Sequence, residues 1–117
     1  MRRKPGTLVP LEAAMLVVAL DLQRSGSREF HGYELAKHLA HVSDTRRLTA
    51  YGTLYRALGR LEKMGLLESH PEDPQIAADG NRPMRRLYAL TGEGLAAARR
   101  EIPAARARKP RRRVAPA

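Results

Sequence analysis

The stretch AYGTLYRALGRLEKMGLL, residues 50–67, decides the fold. Leu54, Leu58 and Leu61 recur at helical spacing, with Ala57 and Met64 beside them, so one stripe faces a core. The helix is expected from about Ala50 to Met64, with Thr49 as its N-cap and Gly65 as its C-cap. The opposite arc holds Gly52, Arg56, Gly59 and Lys63, flanked by Tyr55 and Arg60. Such an arc suits insertion into a major groove. Arg and Lys reach phosphates or guanine edges, hydroxyls bond phosphate oxygens, and glycine lets the backbone approach. Each glycine costs a helix interior about 0.5–1 kcal/mol relative to Ala, and a merely wet face has little reason to carry two. A solvated basic face is the other reading of the same arc.

Outward from this helix the order is simple. Leu66 to His70 reads as a short strand, Pro71 to Pro83 as a turn-rich tip, and Met84 to Leu90 as a returning strand, which together make a hairpin. Arg82, Arg85 and Arg86 cluster on its returning side, while Glu72, Asp73 and Asp79 sit on its outgoing tip. Arg82, between Asn81 and Pro83, is expected in an extended, exposed turn from which it can enter a minor groove or clamp a phosphate. The opposing reading is a basic strand that neutralises nearby acids. Upstream, Pro10 to Leu22 and Gly32 to Val42 have helical spacing, the first closed by Ser25-Gly26-Ser27 and the second broken at Ser43-Asp44-Thr45. Downstream, Thr91 caps a last helix that Pro103 is expected to end. The fold class is mainly α with a small β-hairpin, a winged helix-turn-helix.

The totals fit one domain. The chain has 117 residues and no Cys, which leaves no disulfide and no thiolate ligand. With one Phe and no Trp, Leu and Ala must supply most of the packing. No apolar run approaches a membrane span, and the first helix, which contains Glu12 and Asp21, reads as amphipathic rather than as a signal peptide. A cytoplasmic location and no membrane partner are expected. Nearly all of the net +10 lies at the ends, in Arg2, Arg3 and Lys4 and in Arg106, Arg108, Lys109, Arg111, Arg112 and Arg113. Basic ends fit a polyanion, although charge alone does not separate that from a solubilising tail. The expected organisation is a basic arm over 1–9, a winged-helix domain over 10–102, and a disordered Arg-rich tail over 103–117.

Three segments, in order, resemble the PadR-like transcriptional regulators. FHGYEL, residues 30–35, looks like the family's opening of the second helix. GTLYRAL at 52–58, with Arg60-Leu61-Glu62 and Gly65-Leu66-Leu67, looks like its recognition helix. Gly80-Asn81-Arg82-Pro83 and RRLYALT at 85–91 resemble its wing and exit strand, with Asn81 interrupting the usual Gly-Arg-Pro. The resemblance implies a bacterial homodimer that binds a palindromic promoter site in double-stranded DNA, usually as a repressor. The residues expected at DNA are Thr49, Tyr51, Gly52, Thr53, Tyr55, Arg56, Arg60, Lys63, Asn81, Arg82 and Arg85. The short last helix points to a compact branch in which the first and last helices form the dimer, here through Leu11, Met15, Val18, Leu22, Leu95 and Ala98. Compact members that hold flat aromatic drugs do so between tryptophans, which this chain lacks, so a small-molecule effector is left unnamed.

Other classes have less to stand on. His31, Glu34, His38 and His41 share one side of the second helix, but they span about three turns, too far for one ion, and no metal or cofactor is expected. No Ser/His/Asp or Cys/His set, P-loop or Gly-x-Gly-x-x-Gly element supports an enzyme. The alternatives kept are a winged-helix protein-interaction adaptor and a non-specific basic DNA-binding protein.

Overall fold

A computed structural model of the chain describes residues 7–42 and 51–108. Thr49, the break at Ser43-Asp44-Thr45, and the two extreme ends lie outside the described residues, as do the side chains of His41, Val42 and Tyr51 and of residues 103–108. The elements are α1 (Pro10–Arg24), α2 (Gly32–Val42), α3 (Tyr51–Lys63), β1 (Leu67–Pro71), α4 (Pro74–Asp79), β2 (Arg86–Leu90) and α5 (Gly92–Arg108). This is the mostly helical winged-helix arrangement read from the sequence.

Helix α1 is the centre of the core rather than an amphipathic surface helix. Met15, Leu16, Val18, Ala19, Leu20 and Leu22 are all buried, and so is Glu12. A helix that is apolar nearly all round belongs inside. It packs chiefly on α5, and also on α2 and α3. Phe30, Leu35, Leu39, Leu54, Leu58, Leu61 and Tyr88 complete the same cluster.

The hairpin is antiparallel, in register from Leu67 opposite Leu90 to Pro71 opposite Arg86. Phe30 bridges to Tyr88 from the far side of β2, through amide bonds of 3.0 and 2.8 Å in both directions. The segment entering α2 is thereby pinned to the wing.

Chain reversals follow their cap chemistry. Gly65 takes φ +80, which lets its N–H reach the Glu62 carbonyl and the Leu66 N–H reach that of Leu61. These two bonds form the Schellman motif. Thr91 caps α5 by accepting the Gly94 N–H at 2.9 Å, and its own hydroxyl donates to the Gly65 carbonyl at 2.6 Å. The start of α5 is thus fastened to the end of α3.

Two expectations are corrected. The tip is not all turn, because it contains α4. Asp73 accepts the Gln75 N–H, Pro74 occupies the first turn, and Asn81, at φ 54, closes the helix in the left-handed conformation that asparagine tolerates. The last helix also does not stop at Pro103 but continues to Arg108. Proline removes one backbone bond without forbidding a helix, and the Ala- and Arg-rich residues that follow favour one.

Candidate nucleic-acid interface

Helix α3 divides as its periodicity requires. Leu54, Ala57, Leu58 and Leu61 are buried, whereas Gly52, Tyr55, Arg56, Gly59, Arg60 and Lys63 are exposed and Thr53 is half-buried. The Arg56 guanidinium lies near Gly52, where an added Cβ would meet it only in ordinary van der Waals contact. No hydrogen bond or ion pair holds the side chain of Arg56 or Lys63 among the described residues. The Tyr55 ring lies across Gly32 at the start of α2, so closely that a Cβ on Gly32 would overlap it. This arc of α3 therefore runs directly onto α2.

The wing presents a second set of cations. Arg85 is exposed, and its side chain makes no hydrogen bond or ion pair among the described residues. Asn81 is exposed as well, at the close of α4. Arg86 is exposed but held along the hairpin, its Nε donating to Ser69 Oγ at 2.9 Å, and that hydroxyl donates to Glu62 Oε2 at 2.7 Å.

Residues 22–100 match the sequence profile described as the transcriptional regulator PadR-like family. The chain belongs to the PadR-like family. A comparison with curated proteins gives no match. Among the described residues no helix is long and apolar enough to cross a membrane.

Within this PadR-like chain, two arginines expected at DNA are engaged elsewhere. Arg82 is not in an open turn. Its two Nη atoms grip the Glu72 carboxylate at 2.6 and 2.9 Å, and its side chain is only 25% exposed. Glu72 also accepts the Arg85 N–H at 3.0 Å. The Arg82 hydrogen bonds, helped by that N–H, push the Glu72 carboxyl down to about 2. Such a bidentate pair is directional and strong, so Arg82 braces the wing.

Arg60 behaves similarly. Its Nε donates to Glu12 Oε2 at 2.6 Å, while Glu12 Oε1 accepts the Val9 N–H at 3.1 Å. Glu12 is fully buried and Arg60 is 43% exposed on its side chain. Helix α3 is thus tied to the first turn of α1 through a carboxylate to which sequence reasoning had given no role. The signal available was a glutamate at the third position of a proline-started helix, where it caps the backbone.

The dimer assignments also need revision. Met15, Val18, Leu22 and Ala98 are buried in the core of the single chain and cannot also face a partner in this conformation. Leu11 and Leu95 remain partly accessible. The histidines at the start of α2 and within it have local duties. His31 Nδ1 accepts the Glu34 N–H at 3.3 Å, and His38 Nδ1 bonds the Glu34 carbonyl at 3.0 Å.

Proposed function

We propose that the chain is a sequence-specific DNA-binding regulator, a repressor that acts as a cytoplasmic homodimer on a palindromic promoter site. The observation that carries the reading is the pair of unengaged cations on the outer arc of α3, Arg56 and Lys63, together with the exposed Arg85 of the wing. An arginine with no internal partner is free to fork onto a guanine edge or a phosphate. Half-sites would then lie about one helical turn apart, roughly 34–36 Å. The accessible flank that carries Leu11 and Leu95 is where a partner chain would pack. An effector, if one acts, has room in an open cleft of about 530 Å³ between Leu8, Met64, Leu66, Ala97 and Arg100.

Selection from a random duplex library with the purified full chain tests this. A palindromic consensus is expected, bound far more tightly than scrambled duplex at physiological salt. Arg56→Ala should weaken that complex by about 1–3 kcal/mol and leave the melting temperature in place, because the side chain holds nothing within the fold. Equal binding to any duplex would leave a non-specific coater, and no DNA binding would leave an adaptor.

A further inference from the structure

Three side chains outside the assigned contacts, His31, Tyr33 and Lys37, converge where α2 begins, beside the already assigned Arg85 of the wing. Tyr33 is 52% exposed, yet its ring is held in place. The His31 ring lies nearly parallel to it, with centroids 6.3 Å apart and planes 11° apart. Lys37 Nζ sits 5.7 Å from the same ring. Both contacts are within the range of real aromatic and cation–π attraction. A tyrosine fixed this way keeps its position without burying its surface, so its hydroxyl stays available to solvent or a ligand.

The donors of this row are defined. The Glu34 N–H occupies His31 Nδ1, which places the ring proton of the neutral imidazole on Nε2. No internal partner takes that N–H, and none takes the Lys37 ammonium beyond the ring, among the described residues. Arg85 approaches from the wing. After burial, its charge is the main influence that holds the His31 pKa below its ordinary value. The acids nearby are fewer. Glu34 lies in the same turn, and Glu72 is already neutralised by Arg82.

The position of the row settles what it faces. Gly32 lies between His31 and Tyr33 and is covered by Tyr55, which belongs to the outer arc of α3. On the other flank Phe30, next to His31, is bridged to Tyr88 of β2, in the hairpin whose Arg85 charge is felt at His31. The row therefore bridges the two surfaces assigned to DNA and forms one continuous face with them. It offers hydrogen-bond donors and positive charge but no acceptor fork for a base edge, which is the chemistry of a phosphate site.

We propose that His31 just before α2, Tyr33 and Lys37 of α2, and Arg85 of the wing form a phosphate clamp that grips the DNA backbone between the groove read by α3 and the groove beside the wing. The clamp rests on the regulator reading and adds a backbone contact that sets register and affinity without reading sequence. The test compares full-chain wild type, Lys37→Ala, Tyr33→Phe and Arg56→Ala on the duplex enriched by wild type and on a scrambled duplex, over a range of salt. Melting temperatures check folding; both α2 positions are exposed. Lys37→Ala should weaken both duplexes by the same factor and lower the salt slope by about 0.9. Tyr33→Phe should cost about fivefold on both, the worth of one hydrogen bond. Arg56→Ala should instead penalise the enriched duplex more. If Lys37→Ala and Tyr33→Phe bind like wild type with an unchanged slope while Arg56→Ala fails, the clamp is wrong and the regulator reading stands. If wild type enriches no duplex at all, the regulator reading falls and the clamp falls with it.

Discussion

At the scale of single residues, two titrating groups act on the wing with opposite sign. Glu72 has its carboxyl held at about 2 by Arg82, well below its ordinary 4.5. A depressed pKa means the unfolded chain binds the proton more readily. The stabilisation is therefore complete above pH 4.5 and drains away as pH falls toward 2. Thermal melts of wild type and Glu72→Gln should differ most near neutrality and converge toward pH 2. His70 is the reverse case. Its Nε2 meets the Glu29 carboxylate at 2.6 Å and its Nδ1 meets the Pro71 carbonyl at 2.8 Å, so both nitrogens face acceptors and only the imidazolium satisfies both. Its pKa is raised, chiefly by the Glu29 bond. The contribution is present below pH 6.5 and lost as pH rises through the raised value. Both partners are about half exposed, so the contribution is small, as exposed pairs are. His70→Gln should lower the melting temperature slightly under acidic conditions and leave it unchanged at alkaline pH.

At the scale of elements, the joint between α3 and α5 governs how firmly α3 is seated. Thr91 binds Gly65 and Gly94, and the Thr91 N–H bonds the Leu66 carbonyl at 3.1 Å. A Cβ on Gly94 would run into that Leu66 carbonyl oxygen, a backbone atom no rotamer change can move. Gly94→Ala should cost about 1–3 kcal/mol, the usual range for overpacking. Gly59, by contrast, faces open space, and Gly59→Ala should stabilise by about 0.5–1 kcal/mol. Chemical denaturation of the two variants checks both signs. The same elements show what a sequence makes legible. The leucines of α3 and the caps at Gly65 and Thr91 are local signals, set by helical period and by orphaned backbone groups, and they read correctly. Helix α4 was equally local: Asp73-Pro74 is a cap followed by a first-turn proline, but the prolines around it read as turn. The pairings of Arg60 with Glu12 and Arg82 with Glu72 were not legible, because helical spacing says which way a side chain points and nothing about which distant carboxylate it meets.

At the scale of the whole molecule, charge is separated from structure. Most of the net +10 sits towards the two ends, so on the proposed reading the ends would govern long-range attraction while α3, α2 and the wing would govern fit. Because α5 runs through Pro103, a truncation there would cut the helix as well as the tail. The informative deletion begins after Arg108. It removes Lys109, Arg111, Arg112 and Arg113 and leaves every described element whole. If these four cations lie along flanking phosphates, each releases counterions, and the slope of log affinity against log salt should fall by up to about 3.6 on deletion. If the tail touches phosphates alone, affinity for enriched and scrambled duplex should drop by the same factor, and their ratio should hold. Fluorescence anisotropy on both duplexes across salt measures slope and ratio together. An unchanged slope would take the tail off the DNA. A changed ratio would mean that it reaches into a groove and reads sequence, as the minor-groove arms of other DNA-binding folds do.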